Sequence, residues 1–146
     1  MNFRRTRQRG PTAVAISAAT CLLFFSLCCT QVAAAPVLRC DVTYADTTHH
    51  LETAVGSAPY TTPGVDIAGR FRFKAVVLGS GRRIDAVKLY AYYEGSRQPT
   101  LLEEVKYLPP FAHSASPYAL TGLHSLYAPP LGRELQYGCA LQEAKR

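Results

Sequence analysis

The sequence predicts an all-β fold, and three observations carry this prediction. Short runs alternate between apolar and polar side chains, which is typical of strands because successive side chains change face. Proline pairs, Pro109-Pro110 and Pro129-Pro130, follow two of these runs and end them, since proline cannot donate to a β-ladder. No window shows a convincing 3.6-residue apolar stripe. Six or seven strands in about 110 residues favour a small single-domain β-sandwich, with a small β-barrel as the alternative.

The N-terminal segment predicts a secretory signal peptide. Residues 1–10 carry four arginines and no acid, residues 13–32 carry no charge, and small residues follow at 33–35. A basic start, an apolar middle and a small-residue end are the three parts of such a signal. We expect cleavage after Ala34, with Ala35 as the alternative, so that residues 1–34 are removed and residues 35–146 form a single β domain.

Other interpretations of this segment stay open. The uncharged run is about long enough to span a bilayer, which needs ~20 residues, so an uncleaved membrane anchor is one of them. Arg4-Arg5 could belong to a twin-arginine export signal, and Cys28 or Cys29 could carry a lipid. The residues around these positions do not complete either pattern. In the main interpretation the chain meets a membrane only through the signal segment before cleavage.

The positive charge of the chain is concentrated in the same segment. The whole sequence has 16 basic and 10 acidic side chains, a net charge of +6 and a pI of about 9.2. Removal of residues 1–34 takes away four arginines and no acid, which leaves 12 basic and 10 acidic side chains and a net charge of +2. No nucleic-acid partner is expected, because such a protein needs a concentrated basic face.

Two cysteines remain after cleavage, Cys40 near the start and Cys139 near the end. Two cysteines in an exported domain predict a disulfide. A redox pair is usually close in sequence, as in Cys-x-x-Cys, whereas these two are 99 residues apart. Each cysteine lies on the apolar face of its alternating run, so the bond is expected in the interior, where it ties the first strand to the last.

The composition indicates the source and the compartment. Arginine outnumbers lysine, alanine and proline are plentiful, and Asn2 is the only asparagine in the sequence. This pattern is typical of a GC-rich genome and indicates a bacterial protein. Together with the signal peptide it predicts the periplasm of a Gram-negative cell, with outright secretion as the alternative.

The strand candidates are residues 38–44, 50–55, 71–77, 84–93, 101–107, 120–127 and 135–141. Gly79-Ser80-Gly81 separates two of them and predicts a β-hairpin. Tyr137-Gly138-Cys139 superficially resembles the tyrosine-x-cysteine step of an immunoglobulin strand, so an immunoglobulin-like arrangement is one option. The chain departs from that family in having no tryptophan, a longer cysteine spacing, and Cys40 on the first strand.

Metal binding through histidine is an alternative hypothesis. His49-His50 could begin a periplasmic metal site, with His113 or His124 as a third ligand. Adjacent residues on a strand face opposite ways, so the two rings would not both meet one ion. No spacing of carboxylates or cysteines adds to this site, and surface histidines are the better interpretation.

A small secreted hydrolase is the second alternative. Gly79-Ser80-Gly81 lacks the Gly-x-Ser-x-Gly spacing of a nucleophile elbow, and Ser114 and Ser116 lie near His113 only in sequence. Paired acids occur only at Glu103-Glu104, on opposite faces of a predicted strand. There is no phosphate loop or dinucleotide fingerprint. The sequence therefore identifies no catalytic residue and no cofactor.

Two surfaces predict binding instead. The first is basic and contains five residues: Arg70, Arg72, Lys74, Arg82 and Arg83. If the two strands pair across the hairpin, these cations form one patch for a carboxylate, a phosphate, an anionic lipid headgroup or an acidic partner. The plain alternative is a solvated outer face whose apolar side packs in the core.

The second surface is aromatic and contains Tyr90, Tyr92 and Tyr93. Tyrosine suits the recognition of sugars and peptides, because it has an apolar ring and a polar tip. Tyr90 and Tyr92 share a strand face and Tyr93 takes the other, so one of these two sets is expected in the core. The proline-rich loop Leu108–Pro117 is a further candidate for a functional loop at the edge of the domain.

The sequence thus predicts an exported, non-enzymatic binding or envelope-interaction module. Its partner is an unidentified envelope protein or small ligand.

Overall fold

The computed structural model describes residues 34–56, 58, 60–111, 116–129 and 131–143. The predicted signal peptide, apart from Ala34, lies outside this part, as do His113 and Ser114. The described residues form eight strands: β1 (Pro36–Tyr44), β2 (Thr47–Gly56), β3 (Val65–Ile67), β4 (Phe71–Ser80), β5 (Arg83–Glu94), β6 (Pro99–Tyr107), β7 (Leu123–Ala128) and β8 (Arg133–Glu143). No helix in this part of the chain has the length and apolar character needed to cross a membrane.

All eight strands belong to one sheet that nearly closes into a barrel. Neighbouring strands follow the order β6-β5-β4-β2-β1-β8-β7, and β3 pairs with β4 beside this path. The pairs are antiparallel except β2 with β4, which are parallel and joined only at Val55–Val77 and Gly56–Leu78. The predicted all-β fold is confirmed, and the continuous sheet lies closer to the barrel alternative than to two separate sheets.

The short β2–β4 joint divides the sheet into two halves that pack face to face. The first half contains β2, β1, β8 and β7, and the second contains β3, β4, β5 and β6. Alternate residues of each half point inward and are buried, among them Leu38 and Val42 on β1 and Phe71 on β4. The rings of Phe73 and Tyr137 lie 5.1 Å apart and join the two halves at the centre of the core.

The predicted disulfide joins β1 to β8 inside the first half. Cys40 and Cys139 are opposite partners in the sheet, with Cα atoms 4.1 Å apart, and both are buried. An immunoglobulin disulfide crosses between two sheets, whereas this bond links neighbouring strands, so the immunoglobulin-like option is not the arrangement found. Disulfides persist in oxidising compartments, and the bond therefore favours an extracytoplasmic setting.

The turn that precedes β7 binds the backbone of Cys139 on the side of β8 that faces away from β1. Closely spaced antiparallel partners of this kind direct their backbone polar groups away from each other. The Cys139 amide donates to Thr121 Oγ1 at 2.8 Å, and the Cys139 carbonyl accepts from the amides of Leu120 at 3.0 Å and Thr121 at 3.3 Å. In the same turn, the Tyr118 ring lies over Gly138 so closely that any Cβ there would collide with it.

The structure has one strand more than the sequence predicts, and β2 is longer than expected. The additional strand is β3, whose three residues are too few to show an alternating pattern. The β1–β2 hairpin turns at Ala45 and Asp46, whose φ angles are 48° and 62°. In a sequence, a two-residue turn with both φ angles positive is normally signalled by asparagine or glycine, and neither residue type is present at these two positions.

We expect Ala45→Asn to stabilise the protein by about 0.5–1 kcal/mol, because asparagine tolerates the left-handed conformation better than alanine does. The midpoint of urea unfolding measures this change. Ala54→Asn, on the exposed side of β2, is the matched control and should not stabilise. An unchanged or lower midpoint for Ala45→Asn would contradict the role given to this turn.

Reduction of the disulfide should lower the free energy of unfolding by roughly 4–5 kcal/mol, because the bond closes a 99-residue interval in the unfolded chain. Urea unfolding of the oxidised protein, compared with urea unfolding of the same protein in the presence of dithiothreitol, measures the difference. Equal stabilities would show that the pairing of β1 with β8 does not need the covalent link.

Candidate functional site

The register of β4, β5 and β6 brings two tyrosines and three lysines to the outer surface of the second half of the sheet. Lys74 lies opposite Tyr90, and Lys88 lies opposite Lys106. Tyr92 follows Tyr90 by two residues and therefore shares its side of the strand. These five residues are termed the tyrosine–lysine face. The inward neighbours along each strand are buried, which fixes the face toward the outside.

The two tyrosines of this face stack on one another. The ring centroids of Tyr90 and Tyr92 are 6.4 Å apart and their planes differ by 13°, and both side chains are partly exposed. Tyr93 lies on the opposite side of β5, where its ring packs edge-on against Phe71 at 5.7 Å. Its hydroxyl accepts a hydrogen bond from Arg133 at 2.9 Å. The predicted aromatic surface thus consists of Tyr90 and Tyr92, and Tyr93 belongs to the core.

The lysines of the face have no carboxylate partner among the described residues; Lys106 is exposed, and Lys74 and Lys88 are partly exposed. None of Lys74, Lys88 and Lys106 forms an ion pair with any described carboxylate. The acid nearest to them in the sheet register is Glu104, which lies opposite Tyr90 on β6. With Arg72 and Glu94, which lie beside Tyr92 on the same side, four cations stand against two acids, and the surface around the stacked rings keeps a positive balance.

The five cations predicted as one patch do not lie together. Arg70 and Arg72 stand at the start of β4, and Arg82 and Arg83 stand at the turn that follows its other end. Ser80 follows Arg72 by eight residues along the strand, a span of about 26 Å at ~3.3 Å per residue. The hairpin pairs as predicted, but its length carries the two arginine pairs to opposite ends.

The arginines of that set also have acidic neighbours. Arg72 lies 2.7 Å from Glu94, and Arg83 lies 3.0 Å from Asp85. Arg72 lies opposite Tyr92 on the same side of the sheet as the tyrosine–lysine face, where Glu94 neutralises it, and Lys74 is the member of the predicted basic set that lies there without a carboxylate partner.

The structure separates the histidines of the metal hypothesis. His49 and His50 face opposite sides of β2, and His50 Nδ1 lies 2.7 Å from an oxygen of Asp41 on β1. His124 lies on β7, in a different part of the first half. Within residues 34–143, gaps excepted, no three His, Cys, Asp or Glu side chains converge as metal ligands.

A polar cluster that sequence reasoning missed lies between β6 and β7, the two ends of the sheet. Tyr137 donates a hydrogen bond of 2.5 Å to Glu103 Oε2, and His124 Nδ1 lies 3.5 Å from Glu103 Oε1. The His124 and Tyr137 rings stack at 4.9 Å. His124 Nε2 donates to the Thr121 carbonyl at 3.0 Å. Both ring nitrogens thus face oxygen acceptors, so His124 is not placed to activate a serine as a hydrolase would require.

One signal for this cluster is present in the sequence. Glu103 shares its strand face with Val105 and Tyr107, which pack against the core, so alternation directs the Glu103 carboxylate inward. An inward carboxylate requires donors, because a buried charge without partners is costly. Which residues supply them depends on how β6 and β7 meet, and that is a property of the closed sheet.

The cluster raises the pKa of two tyrosines above the usual value of 10. Burial is the main cause for Tyr137, followed by its hydrogen bond to Glu103 and the charge of that carboxylate. Burial also raises the pKa of Tyr107, and the Glu103 charge adds to the effect. Both hydroxyls therefore stay protonated in the folded protein at pH values where they would ionise in the unfolded chain.

Comparison with known proteins gives no name to this arrangement. No protein-family model, curated protein or solved structure matches the chain.

Tyr137→Phe is expected to cost roughly 1.5–3 kcal/mol at neutral pH, because it removes a hydrogen bond to a carboxylate while keeping the ring packed. Urea unfolding measures this loss. The variant should also change the alkaline stability profile. A tyrosine whose pKa is raised by folding contributes stability below pH 10 and loses it as the pH rises further.

Above pH 10 the wild type should lose up to about 1.4 kcal/mol per pH unit for each such tyrosine, and Tyr137→Phe should lower this slope. Tyr60→Phe, on a fully exposed loop position, is the control and should follow the wild type. Identical alkaline slopes for wild type and Tyr137→Phe would refute the proposed environment of the Tyr137 hydroxyl.

Proposed function

We propose that the protein is an exported, non-enzymatic binding module that holds an acidic polysaccharide on its tyrosine–lysine face. The observation that carries the proposal is the stacked Tyr90–Tyr92 pair, bordered by three lysines that have no carboxylate partner among the described residues.

The chemistry of the face matches both parts of such a ligand. Tyrosine rings offer flat apolar surface with a polar tip, which suits the faces of sugar rings. Lys74, Lys88 and Lys106 offer ammonium groups to carboxylates along a chain of uronic acids. The residues lie on three adjacent strands ~4.8 Å apart, so Lys74 lies beside the Tyr90 ring and Lys88 lies beside Lys106.

The shape of the face favours a polymer over a small molecule. Small ligands usually bind in concave sites that bury most of their surface, whereas this site is the outer side of a sheet. An extended polymer gains affinity from several weak contacts made at once. A regular strand surface provides such contacts without a cavity.

Export is part of the proposal. The N-terminal segment has the three parts of a signal peptide, and the disulfide favours an oxidising setting. We place the protein in the periplasm of a Gram-negative bacterium, with secretion or an uncleaved membrane anchor as alternatives. Acidic glycans of the cell envelope would meet the protein in any of these locations.

Lys88→Glu/Lys106→Glu should weaken binding of polygalacturonate at least about tenfold, because two attractive contacts become repulsive. Isothermal titration calorimetry measures the affinity, with neutral dextran as the control polymer. Arg83→Glu/Arg97→Glu carries the same change in net charge on exposed residues off the face, and should bind almost as well as wild type. Thermal unfolding verifies that both double variants fold.

Tyr90→Ala/Tyr92→Ala tests the stacking contribution, and we expect about a tenfold loss for the polysaccharide. Absence of polygalacturonate binding by the wild type would refute the proposal. An equal loss in the two charge-reversed double variants would also refute it, since binding would then follow net charge and not this face.

A further inference from the structure

A cavity of about 450 Å³ opens at one end of the barrel, where β1 begins and β8 ends. Its apolar walls include Ile84 on β5, Leu141 on β8, and Pro110 and Phe111 in the segment after β6. We refer to it as the end cavity. Pro110 and Phe111 belong to the proline-rich loop that the sequence marks as a candidate functional loop. Residues 112–115 of that loop lie outside the described part.

The floor of the end cavity is continuous with the core. Leu141 is 5% exposed and belongs to the core, and Ile84 and Phe111 pack against it. An apolar group entering the cavity would therefore contact core side chains directly. The volume falls within the range of about 300–1,000 Å³ that small-molecule sites occupy, and the mouth of a β-barrel is a common place for them.

Among the described lining residues, Arg82 and Glu143 carry the charges of the end cavity. Their closest nitrogen and oxygen are 3.4 Å apart, and the side chains are 55% and 69% exposed. An exposed pair of this kind contributes only ~0–1 kcal/mol, so a ligand can take the place of Glu143 at low cost. The planar fork of the Arg82 guanidinium fits the two oxygens of a carboxylate.

We propose that the end cavity binds a small amphiphile whose carboxylate contacts Arg82 and whose apolar body lies against Ile84, Phe111 and Leu141. A medium-chain fatty acid has this chemistry. The end cavity shares no residue with the tyrosine–lysine face, and this inference does not rest on the proposed polysaccharide site.

Decanoate is the probe, and isothermal titration calorimetry with the purified protein measures its affinity and stoichiometry. We expect saturable binding of one decanoate, and tighter binding of decanoate than of decylamine, which has the same tail and the opposite charge. Backbone amide shifts in the NMR spectrum of the wild-type protein should change around Ile84, Phe111 and Leu141. No saturable binding, tighter binding of decylamine, or shifts confined to another surface would each overturn the proposal.

Two variants test the assigned contacts. Arg82→Gln should weaken decanoate binding about tenfold through loss of the charge-assisted contact. Arg83→Gln is the matched control, because the neighbouring arginine does not line the cavity and pairs with Asp85. Ile84→Trp should abolish binding by filling the cavity. Equal effects of the two arginine variants would overturn the assignment of the carboxylate to Arg82. The wild-type NMR shifts decide the location if Ile84→Trp unfolds.

Discussion

The pairing of the first strand with the last is the constraint on which the rest of the fold depends. Cys40 and Cys139 fix β1 and β8 at one register, and every other residue pair of these two strands follows from it. Because side chains alternate along a strand, a shift of β1 by one residue against β8 would turn Leu38 and Val42 out of the core. The bond therefore preserves the sorting of inner from outer side chains in the first half of the sheet.

The two halves are held together by different means on their two sides. At β2 and β4 the backbone pairs over only two residues, whereas at β6 and β7 the contact is made by the side chains of Glu103, His124 and Tyr137. Between them lies the apolar core, in which Phe73 meets Tyr137. Tyr137 thus takes part in both the apolar core and the polar cluster. Its ring packs in the core and its hydroxyl binds Glu103, so the two stabilise the closed sheet in separate ways.

Most of the fold could be predicted from the sequence, because alternation reports directly on which residues face the core. The disulfide, the β4–β5 hairpin and the inward set on β4 were accessible in this way. The Ala45-Asp46 turn was not, because alanine does not signal a positive φ and no glycine follows the aspartate. In the sequence, the basic surface and the aromatic surface are separate. In the structure the two surfaces meet in part, at Lys74, Tyr90 and Tyr92. Lys88 and Lys106 join them there, and the arginine pairs lie apart. All of this depends on strand register and strand length, which the sequence pattern does not report.

The turn that holds Cys139 has a consequence for how the protein meets other copies of itself. The last residue pair between β7 and β8 is Leu123 with Gly138, so β8 continues past the end of its neighbour. A strand edge left open in this way is a template for a strand of another molecule. Thr121 and Leu120 already occupy the amide and carbonyl of Cys139, the first groups that an incoming strand would meet. The chain thereby caps the β8 edge at Cys139, where a second strand would begin to pair, and this disfavours edge-to-edge aggregation.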